Sequence, residues 1–360
     1  MGRGMSMRYL SLVVFLTSFS HQISAAEYEY SAVVPKRKPA ITAQGVKGQK
    51  LNQVKIDADP SIDLVQAIDV TITACELKSI KLSGCKKIRI YNCWIHDSKG
   101  PAIHLDGCED VVVQGCRIER VASGVYAHQS SGVQVIGNYV ENVMGPMPRG
   151  QMVQFDKVTG KQNVIRGNQS SNSSDQSRPE DMISIYESSG TEDSPILIED
   201  NYLSGDPKVG SDGKSKSGSG IMLGDGKGGK HIVCRKNVLL APGQVGIGVA
   251  GGGTITITDN TIIGSKSDVS NVGLYVWNQS KQDGGEVIVR GNKIHWVNAA
   301  GAPNPYWNGG GFTKVTEEDN SFQDIKLLES PPTPPSLAPL PPLPFGIKIA
   351  FPWPKTKATE

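Results

Sequence analysis

Residues 102–143 write the same phrase twice. AIHLDGCEDVVVQGCRIERV is followed, from Gly124, by GVYAHQSSGVQVIGNYVENV: an alternating apolar triplet, a polar turn, a second triplet, a turn ending in Cys or Asn, and a short apolar run. The phrase recurs nine times, with first triplets opening at Ile62, Ile80, Ile103, Val125, Val153, Ile183, Ile221, Ile247 and Leu274. The residue closing the second turn is Cys75, Cys93, Cys116, Asn138, Asn168, Asn201, Asn237, Asn260 and Asn292, 13 residues after the triplet opens in five copies and 15 to 18 after it in four.

Apolar residues two apart point to one side of a strand, so each copy holds about three short strands with one face inward. A repeat of 18 to 38 residues cannot bury its own apolar face and must stack on its neighbours, which makes the chain a solenoid. Helical periodicity is absent and turn formers punctuate each copy. The reading is an all-β, single-stranded parallel β-helix of about nine coils. Six successive Asn at one turn predict a ladder in which stacked amides satisfy each other's hydrogen bonds.

The pattern ITITDNTI from Ile255 and VIVRGNKI from Val287 carries a V-x-I-x-x-N-x-I signature. On it the chain resembles the right-handed parallel β-helix proteins of the pectate-lyase-like type, over roughly residues 62–297. The resemblance implies a right-handed coil and a substrate groove along one strand face. It does not choose among lyases, hydrolases, epimerases and binding proteins.

Residues 1–26 join a basic start, an apolar run and the small-residue site Ser24-Ala25-Ala26, which reads as a secretory signal peptide. The apolar run is too short to span a bilayer, which needs about 20 residues. Removing the signal takes away Arg3 and Arg8 and leaves 35 basic against 35 acidic residues. That balance gives no reason to expect nucleic acid or an anionic membrane as partner. A secreted or periplasmic monomer without membrane insertion is expected. Residues 27–61 read as an extension capping the first coil, 62–312 as the β-helix and 313–329 as a C-terminal cap or linker. Residues 330–360 form a proline-rich tail, with eight Pro in its first fifteen positions, read as an extended spacer or stalk.

Six Cys in an exported chain suggest disulfides, yet Cys75, Cys93 and Cys116 stand where Asn stands later. Cys85 and Cys108 share another turn site, and Cys234 takes an inward triplet position. These read as packed thiols, with a Cys85 to Cys108 bridge as the alternative. No C-x-x-C pair suggests zinc; no metal site is assigned, and Ca2+ is left open.

The loops before Val153, Ile183 and Ile221 are long, and long loops are commonly functional. They would wall a groove over copies four to seven. Outward positions of the first triplets form its floor. One column includes His104, Tyr126, Gln154, Ser184, Met222, Gly248 and Tyr275, and the next Asp106, His128, Asp156, Tyr186, Gly224, Ala250 and Trp277. His128 would sit between the carboxylates of Asp106 and Asp156 and be biased toward its charged form. A smooth patch at Gly224 and Ala250, between Tyr186 and Trp277, would suit a sugar ring.

Catalytic candidates are therefore His128, Asp156, Tyr186 and Asp181. Substrate-binding candidates are His104, Tyr126, Arg149, Gln154, Lys157, Asp225, Tyr275 and Trp277, and the expected partner is a polysaccharide. If the chain is an enzyme, β-elimination by a uronate-type polysaccharide lyase is the most compatible chemistry: Arg149 or Lys157 would neutralise a uronate carboxylate while His128 or Tyr186 abstracts the adjacent proton. Hydrolysis would use Asp156 with Asp181 or Asp225. The chain lacks the Asp-Asp, Asn-Thr-Asp and His-Gly pairs of polygalacturonase-type hydrolases and the Asp-Pro-His-Asp run of mannuronan epimerases. The competing class is a non-catalytic carbohydrate-binding or surface and matrix protein.

Overall fold

The computed structural model describes residues 35–145, 150–173, 176–177, 179–205, 219–280, 282, 284–323, 327 and 332–333. The expected signal peptide, Arg149 and all of the proline-rich tail but Pro332 and Thr333 lie outside these residues.

The described chain winds as a right-handed parallel β-helix with three strand faces to a coil. The first face carries the opening triplets, as in Val153–Asp156, which pairs in parallel and in register with Asp181–Tyr186. The second face is a ladder of eleven strands, from Lys50–Asn52 to Phe312–Glu318. The third face holds the short runs, such as Tyr139–Val143. Some strands turn a corner without breaking: Arg117–His128 begins on the third face, where Ile118 meets Val140, and ends on the first, where Ala127 meets Phe155.

The described residues form eleven coils rather than nine. Ile41–Gln44 pairs with Ile62–Val65, and Tyr306–Gly310 pairs with Val272–Trp277. Parallel pairing therefore begins at Lys36 and continues to Phe322. The end coils escape the repeat because each pairs with a coil on one side only among the described residues; their apolar positions are half-buried and the pattern is diluted with polar residues.

Corners are set by backbone conformation. At the first corner Gln66, Gln129, Lys157 and Glu187 adopt φ between 46° and 57°, the left-handed region that swings the chain onto the second face. At the second corner a left-handed residue, such as Asn92, Asp200 or Lys236, immediately precedes the ladder residue. Asn138 Nδ2 donates to Asn168 Oδ1 at 2.9 Å and to the Val113 carbonyl of the preceding coil at 3.0 Å. The relay passes through Asn201, Asn237, Asn260 and Asn292 to Asn320, one coil beyond the repeat in the sequence. Cys75, Cys93 and Cys116 continue it toward the N-terminus. Their thiols lie 3.8 to 3.9 Å from the equivalent carbonyls of Leu51, Ile72 and Ile90. All six Cys are free and buried, so the packed-thiol reading holds and no Cys85 to Cys108 bridge forms.

Inside, Ile, Val and Leu at 0 to 4% exposure fill the bore from Val54 to Ile294. Each fully buried aliphatic side chain contributes about 1.5 to 3 kcal/mol relative to exposure. Among the described residues no helix is long and apolar enough to cross a membrane.

Candidate functional site

The first face brings the two outward columns together much as the triplets predict. His104, Tyr126, Gln154, Ser184, Met222 and Gly248 follow one another through successive pairings, and so do Asp106, His128, Asp156 and Tyr186. The difference comes at the next strand. A register shift after Ile185 pairs Tyr186 with Asp225 in place of Gly224. Gly224 is the inserted residue, at φ +64°, and a Cβ there would lie 2.1 Å from the Gly251 carbonyl oxygen. The bulge re-aims the column and puts a carboxyl where a smooth floor was expected.

A cleft of about 350 Å³ opens over this stretch, lined by Gln154, Asp156, Lys157, Glu180, Asp181, Ser184, Tyr186 and Asp225. Gln154 and Ser184 form its buried floor. Asp156 is 7% exposed; its Oδ2 accepts the Tyr126 phenol at 2.8 Å, and its Oδ1 is buried with no hydrogen-bond partner among the described residues. Asp181 begins the strand above and is 8% exposed. Burial, then the neighbouring Glu180 and Asp225 carboxyls, lift its pKa to about 7 against partial relief from Ser219. Glu180 accepts from Gln151 Nε2 at 3.0 Å.

His128 stands between Asp106 and Asp156 in the column, but only Asp106 comes within ion-pair distance of it. Its Nδ1 lies 2.8 Å from Asp106 Oδ1, while Asp156 is engaged by Tyr126. With His104, Tyr126 and His128 form a row of rings at centroid separations of 5.1 and 6.3 Å. Lys157, the only cation lining the cleft among the described residues, has Nζ 3.8 Å from Glu187 Oε2 and 6.0 Å from the Tyr186 ring centroid. Loss of solvation and the carboxyls of Glu187, Asp225 and Asp156 raise the Tyr186 phenol above its ordinary value.

Tyr275 is not an open platform. Its ring lies over Gly248, where a Cβ would come within 2.6 Å of it, and its phenol reaches Met222 Sδ at 3.2 Å. With Val245 and Val272 it forms a small apolar cluster, and burial pushes its pKa up to about 12. Trp277 is exposed, at 42%, and meets Trp307, 47% exposed, edge-on at 5.5 Å. Trp307 falls in the faded last coil, so the repeat gave no sign of it. The bulge at Gly224 was equally silent, whereas Ser184 stands where the floor column expects it. Glu180, in contrast, was visible as an acidic loop residue beside Asp181.

Two family models match the sequence: the right handed beta helix region over residues 58–212, and the periplasmic copper-binding protein NosD over residues 149–298. No curated protein matches it. Similar solved structures include the catalytic domain of a GH87 alpha-1,3-glucanase in complex with tetrasaccharides, at 12% identity, TM-score 0.47, covering 80% of this chain and 59% of that one. The alginate lyase from Paenibacillus sp. str. FPU-7 aligns at 13% identity and TM-score 0.49, over 76% of this chain and 95% of the lyase. PfbA, a surface adhesin of Streptococcus pneumoniae, aligns at 8% identity and TM-score 0.43, over 80% and 84%. At such identities the likeness is one of fold. The chain spans 59% of the glucanase domain's length.

Copper favours thiolate, thioether and imidazole ligands, and among the described residues of the span matching NosD the His and Cys side chains are not grouped into such a set. Among the described residues no three His, Cys, Asp or Glu are grouped to hold a metal. Cys234 is buried in the bore, and His231 and His295 stand on different faces.

Proposed function

We propose that this right-handed parallel β-helix is an exported, monomeric glycan-acting protein that hydrolyses a neutral polysaccharide in the first-face cleft. The observation that carries this reading is Asp181. Glycoside hydrolysis needs one carboxyl that keeps its proton and a second that receives one, and Asp181, with a pKa near 7, keeps its proton through the weakly acidic range. Asp181 would protonate the glycosidic oxygen. Asp156, with Oδ1 unclaimed and Oδ2 steered by Tyr126, would take the proton of the attacking water.

β-Elimination is less well served. Among the described residues Asp156, Glu180 and Asp225, with the proton-keeping Asp181, line the cleft against Lys157 alone, so a uronate would meet like charge there. The raised pKa of Tyr186 opposes the base role that elimination asks of it. Trp277 and Trp307 would offer stacking surfaces to sugar rings farther along the same face.

The test is a turnover screen of the chain from residue 27 on neutral and uronate glycans. New reducing ends from a neutral glycan, lost in Asp181→Asn and Asp156→Asn while binding stays within a few fold, are expected. Absorbance of an unsaturated uronate would replace hydrolysis by elimination. Binding without either product would leave a carbohydrate-binding protein.

A further inference from the structure

The third face carries outward side chains that are buried like interior ones. Trp94, Arg117, Glu119 and Gln169 alternate with the inward Ile95, Ile118 and Ser170, yet they are only 8, 7, 3 and 4% exposed. Trp94 Nε1 is buried without a hydrogen-bond partner among the described residues. Removal from water pushes the Tyr139 phenol up to about 12 and raises that of Tyr202. Beyond Tyr202, the half-buried Val238, Leu240 and Ile263 extend an apolar stripe along the same face.

The chain itself returns to this face. After the last third-face strand, Ser321–Phe322, Leu327 is buried and the Tyr202 phenol donates to the Pro332 carbonyl at 3.2 Å. Tyr202–Ser204 stands four strands before Ser321–Phe322, so the returning segment has already run back about 19 Å along the stack at about 4.8 Å per strand.

We propose that the third face is the docking surface for the chain's own C-terminal segment, residues 334–360, which continues past Tyr202 toward Trp94. Reach is ample. From Tyr202 to Trp94 is four further strands, about 19 Å, whereas 27 residues of polyproline helix extend roughly 80 Å. The chemistry fits as well. The third-face backbone is already paired within its ladder, and proline brings no donor that needs a partner. Flat rings at Trp94, Tyr139 and Tyr202 are the surfaces on which proline-rich segments lie. The segment is then a strap along the solenoid, not a free stalk.

Tyrosine nitration read by mass spectrometry tests this. In the full chain Tyr139 should resist nitration. In a chain ending at Thr333 it should become several-fold more reactive while Tyr126 and Tyr186 on the first face do not change, and the peptide 334–360 added in excess should restore protection. Leu240→Glu with Ile263→Glu should expose Tyr139 in the uncut chain, which decides the matter if the shortened chain loses its β circular dichroism. Unchanged reactivity after truncation overturns the proposal. So does protection that disappears on removing residues 1–34, which would make the N-terminal segment the occupant, or protection that depends on protein concentration, which would indicate a second copy.

Discussion

Asp181 shows what one side chain's surroundings do to stability as well as to chemistry. Its folded pKa, about 7, lies above the ordinary carboxyl value, so the folded state holds a proton that the unfolded state releases from about pH 4 upward. The folded state therefore loses stability as pH rises from about 4 to 7 and levels off above that. The shift corresponds to roughly 4 kcal/mol. Asp181→Asn should flatten this dependence and melt higher than the parent at pH 8 but not at pH 4. Parallel melting curves at both pH values would mean that Asp181 titrates normally. The sequence placed Asp156 on the groove floor, since column positions follow from strand alternation, and offered Asp181 and Asp225 from the loops beside it. It could not reveal that Tyr126 takes Asp156 away from His128, or that Gly224 shifts Asp225 into the column, because both depend on contacts between coils rather than on spacing within one.

At the scale of the strand and its turn, the repeat made the fold legible because every coil had to solve the same burial problem, and solved it at the second corner with Asn or, in the early copies, Cys. Asn237 shows why that residue is constrained. It donates to the Ile198 carbonyl and to Asn260, and accepts from Asn201 through both backbone and side-chain nitrogens. Asn237→Leu should cost roughly 1 to 3 kcal/mol, seen as a lower denaturant midpoint at unchanged slope. Asn320→Leu, at the half-exposed end of the ladder, should cost less. Equal losses at the two positions would mean that the ladder does not act through burial. The end coils were harder to read for the opposite reason: Ile41–Gln44 and Tyr306–Gly310 have less to bury and so repeat less.

For the whole molecule, the parallel register between coils has a mechanical consequence. The hydrogen bonds that join one coil to the next run along the helix axis, so tension applied between the two ends loads them in line, a few at a time, instead of shearing many together. Stretched between a surface and a cantilever, the solenoid should peel from an end like tape from a roll. Each peeled turn would release 18 to 38 residues, or roughly 60 to 130 Å of contour length at about 3.4 Å per residue. A force record should therefore show a staircase of modest, unequal steps. A single large rupture would mean that the coils yield as one block.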